Sequence, residues 1–256
     1  MTAARWFAWS PTRHTALALS AGAASIALSL LLVPLAGRPV WAAGVRDVGQ
    51  IGLVGVALPL WFVLRNGESL AAFGFHVHRW RAFLAINLAL AAALLVQMMR
   101  VTPVPADFTW SSDNLWRAAY VAVSLVFELV FFYGFLRTLF ERAFGVVPGI
   151  VLAAGFYALH HAGFQPEFTK LFLVGVLYGT TMRLGNSVLL IFPFFIGVGG
   201  IYDVLLKSKV VAPIAYPEWR TIMLALMLTG AAVWFARRSA AARQPVKQAT
   251  DPAALW

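Results

Sequence analysis

Eight times along its 256 residues the chain runs for about twenty positions with scarcely a charge, and no other feature limits the fold so strongly. At 1.5 Å per residue, a helix of about twenty apolar residues spans the ~30 Å hydrocarbon core of a bilayer. Lipid offers no hydrogen bonds, so such a segment must satisfy its own backbone, which a helix does. The runs are 15–35, 48–64, 83–99, 115–140, 147–164, 168–184, 187–206 and 219–236. They predict an all-α fold, a polytopic transmembrane helical bundle of about eight spans. The first run is longer than a signal-peptide core and reads as an uncleaved span.

Composition agrees. Hydrophobic residues make up 61% and charged residues 12%. A soluble enzyme carries roughly 25% charged residues, and a disordered chain lacks the apolar content. The formal charge is +10. With so little polar surface, the basic residues read as helix-end anchors facing anionic lipid, not as a nucleic-acid groove. No cysteine is present, which excludes disulfides, thiolate metal sites and cysteine nucleophiles. An even span count puts both termini on one side. With the N-terminus in the cytoplasm, most of the 20 Lys and Arg also lie there, as the positive-inside rule requires. The expected organisation is a cytoplasmic segment 1–14, a membrane domain 15–236 and a basic cytoplasmic tail 237–256. The expected location is a bacterial inner or plasma membrane.

An ionisable group in hydrocarbon costs several kcal/mol, so each one is a functional candidate. Glu128 lies within 115–140, His160 and His161 within 147–164, and Tyr202 and Asp203 near the end of 187–206. The other acidic residues fall in loops, in the tail or at span ends. Glu128 stands nine residues before Arg137, roughly 13 Å along a helix. His160 stands twelve residues after Pro148, roughly 18 Å. Antiparallel neighbours would bring the two to similar depths. A carboxylate that takes a proton and an imidazole that donates a hydrogen bond suffice for general-base hydrolysis. On spacing alone the alternative stays open: a neutral glutamic acid bonded to a neighbouring helix, with the histidines as interhelical glue. His161 follows His160 by about 100° of helix and is expected to face elsewhere or to support it. Arg137 reads as a snorkelling cytoplasmic residue.

Several short motifs carry a resemblance. Residues 128–136 (E-L-V-F-F-Y-G-F-L), 156–160 (F-Y-A-L-H), 175–178 (G-V-L-Y), 183–187 (R-L-G-N-S) and 69–75 (S-L-A-A-F-G-F) follow one another in a telling order. Together they resemble the CPBP intramembrane proteases, the group of CAAX prenyl endopeptidases and Abi bacteriocin-immunity proteins, with the matching core over about 115–206. The family's first motif reads E-E-x-x-x-R before G-F-L, and its second reads F-x-x-x-H. The resemblance implies a glutamic-type or metallo-peptidase that cleaves a membrane-anchored or lipidated peptide, with Glu128 and His160 activating water. Leu129 and Tyr133 stand where the family has its second glutamate and its arginine. The third motif, H-x-x-x-N or similar, would fall near Phe195 and Gly199, which are apolar here. Tyr133, His161, Tyr202 and Asp203 are the candidates for supporting roles. Water activation without a metal is the expected chemistry, with no cofactor required and zinc on Glu128, His160 and His161 as the alternative. The expected partners are membrane lipids and a membrane-anchored protein or peptide, with no nucleic acid. Two other functions stay in view: a non-catalytic scaffold or immunity-type partner, and a proton-coupled transporter.

Overall fold

Residues 5–101, 109–202 and 214–242 are described by the computed structural model, and among them every regular element is a helix. They form α1 (Arg13–Leu30), α2 (Pro39–Arg65), α3 (Trp80–Val101), α4 (Ser112–Phe144), α5 (Val146–Leu159), α6 (Phe168–Gly185), α7 (Pro193–Tyr202) and α8 (Pro217–Ala242). Each overlaps one of the eight apolar runs. Four of them, α2, α3, α4 and α8, are long and apolar enough to cross a membrane. The chain is therefore an all-helical membrane protein with four candidate spanning helices. Helix α5 covers only 14 residues, roughly 21 Å at the helical rise. Helix α7 begins at Pro193, after a turn that occupies the start of its predicted run. Asp203 and residues 243–256 lie outside the described residues.

Burial sorts the helices into a hub and a rim. Helix α4 is the hub: Phe127, Phe131, Phe132, Phe135, Leu136 and Phe140 on successive turns are all inaccessible. Most of its apolar stretch is covered by protein, whereas most of the apolar surface of α3 and α8 stays open to the surroundings. An apolar helix with an uncovered surface is stable only where lipid covers it. Helices α5 and α6 pack beside the hub through small residues. A side chain at Gly175 of α6 would meet Tyr157 and Ala154 of α5 at 3.0–3.1 Å, so glycine sets that close approach.

Two further contacts fix the ends. Thr12 caps α1 by accepting from the His14 amide at 3.2 Å, while Thr15 accepts from the Thr12 amide at 3.0 Å. The extended segment before it donates from Ala8 and Ser10 to the carbonyls of Phe144 and Ala143, at 2.8 and 2.7 Å. Those carbonyls end α4 and would otherwise lack partners.

Three sequence expectations change. Helix α2 starts at Pro39, nine residues before its apolar run, and so carries Arg46 and Asp47 inside a candidate span. Asp47, expected in a loop or at a span end, is fully buried, because Arg220 of α8 grips it at 2.6 and 2.8 Å and the Tyr120 hydroxyl donates to it at 2.8 Å. Arg137 is also buried and does not snorkel. Its guanidinium donates to the Tyr133 carbonyl at 2.8 Å, to Glu141 Oε1 at 2.5 Å and to Asn186 Oδ1 at 2.8 Å. Helix α4 widens over Leu129–Leu136, where the Arg137 amide reaches back five residues to Phe132. Such wide turns interrupt ordinary helices and recur at functional sites.

Candidate functional site

The site is built on the last turn of α5. The final four carbonyls of a helix have no amide partner inside it. Here the His160 amide closes onto Phe156 at 3.0 Å, but the His161 amide turns to Ala158 at 3.3 Å, so the ladder misses Tyr157. The two histidine side chains fill that gap. His160 Nδ1 lies 2.5 Å and His161 Nδ1 lies 2.8 Å from the Tyr157 carbonyl oxygen. Each Nδ1–H donates to one shared acceptor, which fixes both rings and leaves each Nε2 presenting a lone pair. Of the two expectations for His161, facing elsewhere or supporting His160, this geometry removes the first. The 100° spacing applies to a continuing helix, and this helix stops at Leu159.

Glu128 comes from the hub. Its Oε1 lies 3.3 Å from His160 Nε2 and 3.9 Å from His161 Nε2. All three residues are buried. The carboxylate oxygen and the two ring nitrogens fall within 4.8 Å of one another, a convergence of metal-ligating type. The other carboxylate oxygen, Oε2, is buried and has no protein partner. Aromatic rings enclose the group. Phe132 lies 4.5 Å and Phe127 5.7 Å from the His160 ring, and Phe164 lies 5.0 Å from His161, all between centroids. The loop after the histidines is held against α1, where the Gly163 amide donates to Ser29 Oγ at 3.0 Å and no side chain would fit at Gly163.

The remaining candidates are placed as follows. Tyr133 sits one wide turn after Glu128 with its hydroxyl buried and without a protein partner, and its ring lies 5.6 Å from that of Tyr157. Glu128 is an electrostatic neighbour of that phenol. Tyr202 ends α7, and its side chain, like all of Asp203, lies outside the described residues. Phe195 and Gly199 line a cavity of about 80 Å³ together with His161, Tyr157 and Tyr178. The positions where a third polar motif was sought therefore border the site, but they present a ring and a bare backbone. Tyr178 does bring a hydroxyl to that wall, with its ring 4.5 Å from Phe195.

Sequence reasoning missed Arg46. Its guanidinium carbon lies 3.9 Å from the Phe164 ring centroid, and it is an electrostatic neighbour of Glu128, His160 and His161. The same Phe164 ring lies 5.0 Å from that of His161. A charge just ahead of an apolar run was the only available signal, and a helix-end anchor carries the same signal. No protein-family model, curated protein or solved structure matches the chain.

Proposed function

We propose that the chain is a membrane-embedded endopeptidase that hydrolyses a peptide bond of a membrane-anchored or lipidated substrate. The single observation that carries this reading is Glu128 Oε1 at 3.3 Å from His160 Nε2, both buried among apolar helices. A carboxylate with a free second oxygen can take a proton from water. The hydroxide so formed adds to the scissile carbonyl carbon. The C–N bond then breaks, and the proton held on Glu128 passes to the departing amine. Tyr133, with its buried hydroxyl, and Tyr178, on the cavity wall, supply hydroxyls for the developing oxyanion in place of the apolar Phe195 and Gly199. An oxyanion donor contributes about 10²–10³ in rate. The motif resemblance to the CPBP intramembrane proteases points the same way and supplies the substrate class.

In this reading all eight helical stretches belong to one bundle in a bacterial plasma membrane, with both termini in the cytoplasm and membrane lipid as the surrounding partner. The cavity beside His161 admits the substrate chain. A second reading, a non-catalytic membrane scaffold, draws on the apolar character of Phe195 and Gly199.

The test compares new protein N-termini in membranes of cells that express the wild-type chain or the Glu128→Gln variant. Cleavage products present with wild type and absent with the variant are expected. Identical sets of termini, with equal amounts of both proteins in the membrane, would leave only the scaffold.

A further inference from the structure

We infer that Glu128, His160 and His161 together bind one divalent transition-metal ion, with zinc the best match. Three observations carry the inference. The first is the donor set. Two imidazole nitrogens and one carboxylate oxygen form a common catalytic zinc triad, with the fourth position left for water. The second is spacing. Ligands held at 2.0–2.1 Å in a tetrahedron lie roughly 3.3 Å apart. Glu128 Oε1 stands 3.3 Å from one Nε2 and 3.9 Å from the other. A charged N–H···O hydrogen bond would draw its atoms to about 2.8 Å. The third is orientation. Both histidines give their Nδ1–H to the Tyr157 carbonyl, the support that metal-bound histidines almost always have. Two nitrogen lone pairs therefore face a carboxylate oxygen in a buried pocket, and such a group repels itself without a cation. A single proton between Glu128 and His160 leaves His161 Nε2 unmatched. A metal ion accepts all three donors.

His161 gains a role here that the motif resemblance does not give it. It also borders the cavity that contains Tyr157 and Tyr178, so the fourth position opens where a water and a substrate carbonyl can enter. Soft thiolate-preferring ions are disfavoured, since no cysteine is present. Use of the ion for hydrolysis rests on the peptidase reading; its binding does not.

The test uses the full chain in detergent micelles, stripped with chelator and dialysed against micromolar zinc. The expected metal content is about one zinc per chain. Cobalt in place of zinc should give the intense visible bands of a four-coordinate site. His161→Ala should lower zinc affinity at least tenfold, and His161→Cys, which restores a ligand, should recover most of it. Matching thermal unfolding of the metal-free proteins separates ligand loss from misfolding. Wild-type protein that retains no zinc, or His161→Ala that retains as much as wild type, would overturn the inference. Cleavage products that depend on Glu128 from a metal-free protein would overturn the ion's use in hydrolysis and leave the peptidase, whereas zinc bound with no Glu128-dependent products would overturn the peptidase and leave the metal site.

Discussion

Two of the buried polar clusters among the described residues are built on opposite plans. In the first, Asp47 of α2 receives two bonds from Arg220 of α8 and one from Tyr120 of α4. Arg220 also bonds to the Tyr120 hydroxyl and lies 4.3 Å over its ring. Both carboxylate oxygens are matched and the charges cancel. In the second, Glu128 faces two histidines whose donors are already spent, and its other oxygen has no protein partner. Buried polar groups are ordinarily hydrogen-bonded, and an unmatched one calls for a reason. The first cluster ties three helices together. The second is poised to receive something.

The contrast can be broken most forcefully at Arg220. Removing one member of a buried ion pair leaves an orphan charge and costs about 3–5 kcal/mol. Arg220→Met is expected to lose that much in unfolding measured in micelles. Adding Asp47→Leu should restore most of it, because no charge then remains unmatched. If Arg220→Met unfolds like wild type, the first cluster is not a structural tie. Arg137→Met should cost less, about 1–3 kcal/mol, by stranding the Tyr133 carbonyl and Asn186, because its third partner, Glu141, is partly exposed and keeps Arg183 at 3.7 Å. The same unfolding measurement checks it.

The second cluster should respond the other way. Glu128→Gln keeps shape and removes charge, so its stability should change by less than about 1 kcal/mol. A large loss would mean that Glu128 is a structural tie like Asp47. A comparably small effect is expected at Arg46, a cation that repels a metal ion held near Phe164. Arg46→Gln should tighten zinc binding by roughly three- to tenfold. Unchanged affinity, read by competition with a chelator, would show that solvent screens the guanidinium from the site.

What the sequence revealed follows from the range of each interaction. Helices were legible because hydropathy is local, and eight apolar runs became eight helical stretches. Their lengths were not, because ends depend on partners. Pro39–Arg65 extends over Asp47 only because Arg220 waits 173 residues away. Arg137 looked like a surface anchor because Asn186, which helps to bury it, is 49 residues distant. The meeting of Glu128 and His160 was legible, since two lone polar residues at similar depth on antiparallel helices have few other places to go. Of the two readings of His161, the one that turned it away assumed a regular helix past Leu159, whereas the carbonyl that turns both rings belongs to a helix end. Phe195 and Gly199 line the cavity beside His161, although neither carries the polar group sought there.

The account rests on Glu128 being present for chemistry and not for folding. The most direct measurement takes Glu128→Gln and follows both properties in one preparation, reconstituted in vesicles with membrane peptides recovered from expressing cells. The account predicts an unfolding midpoint close to wild type together with cleavage reduced at least a hundredfold. Cleavage that continues at the wild-type rate in the folded variant would contradict it.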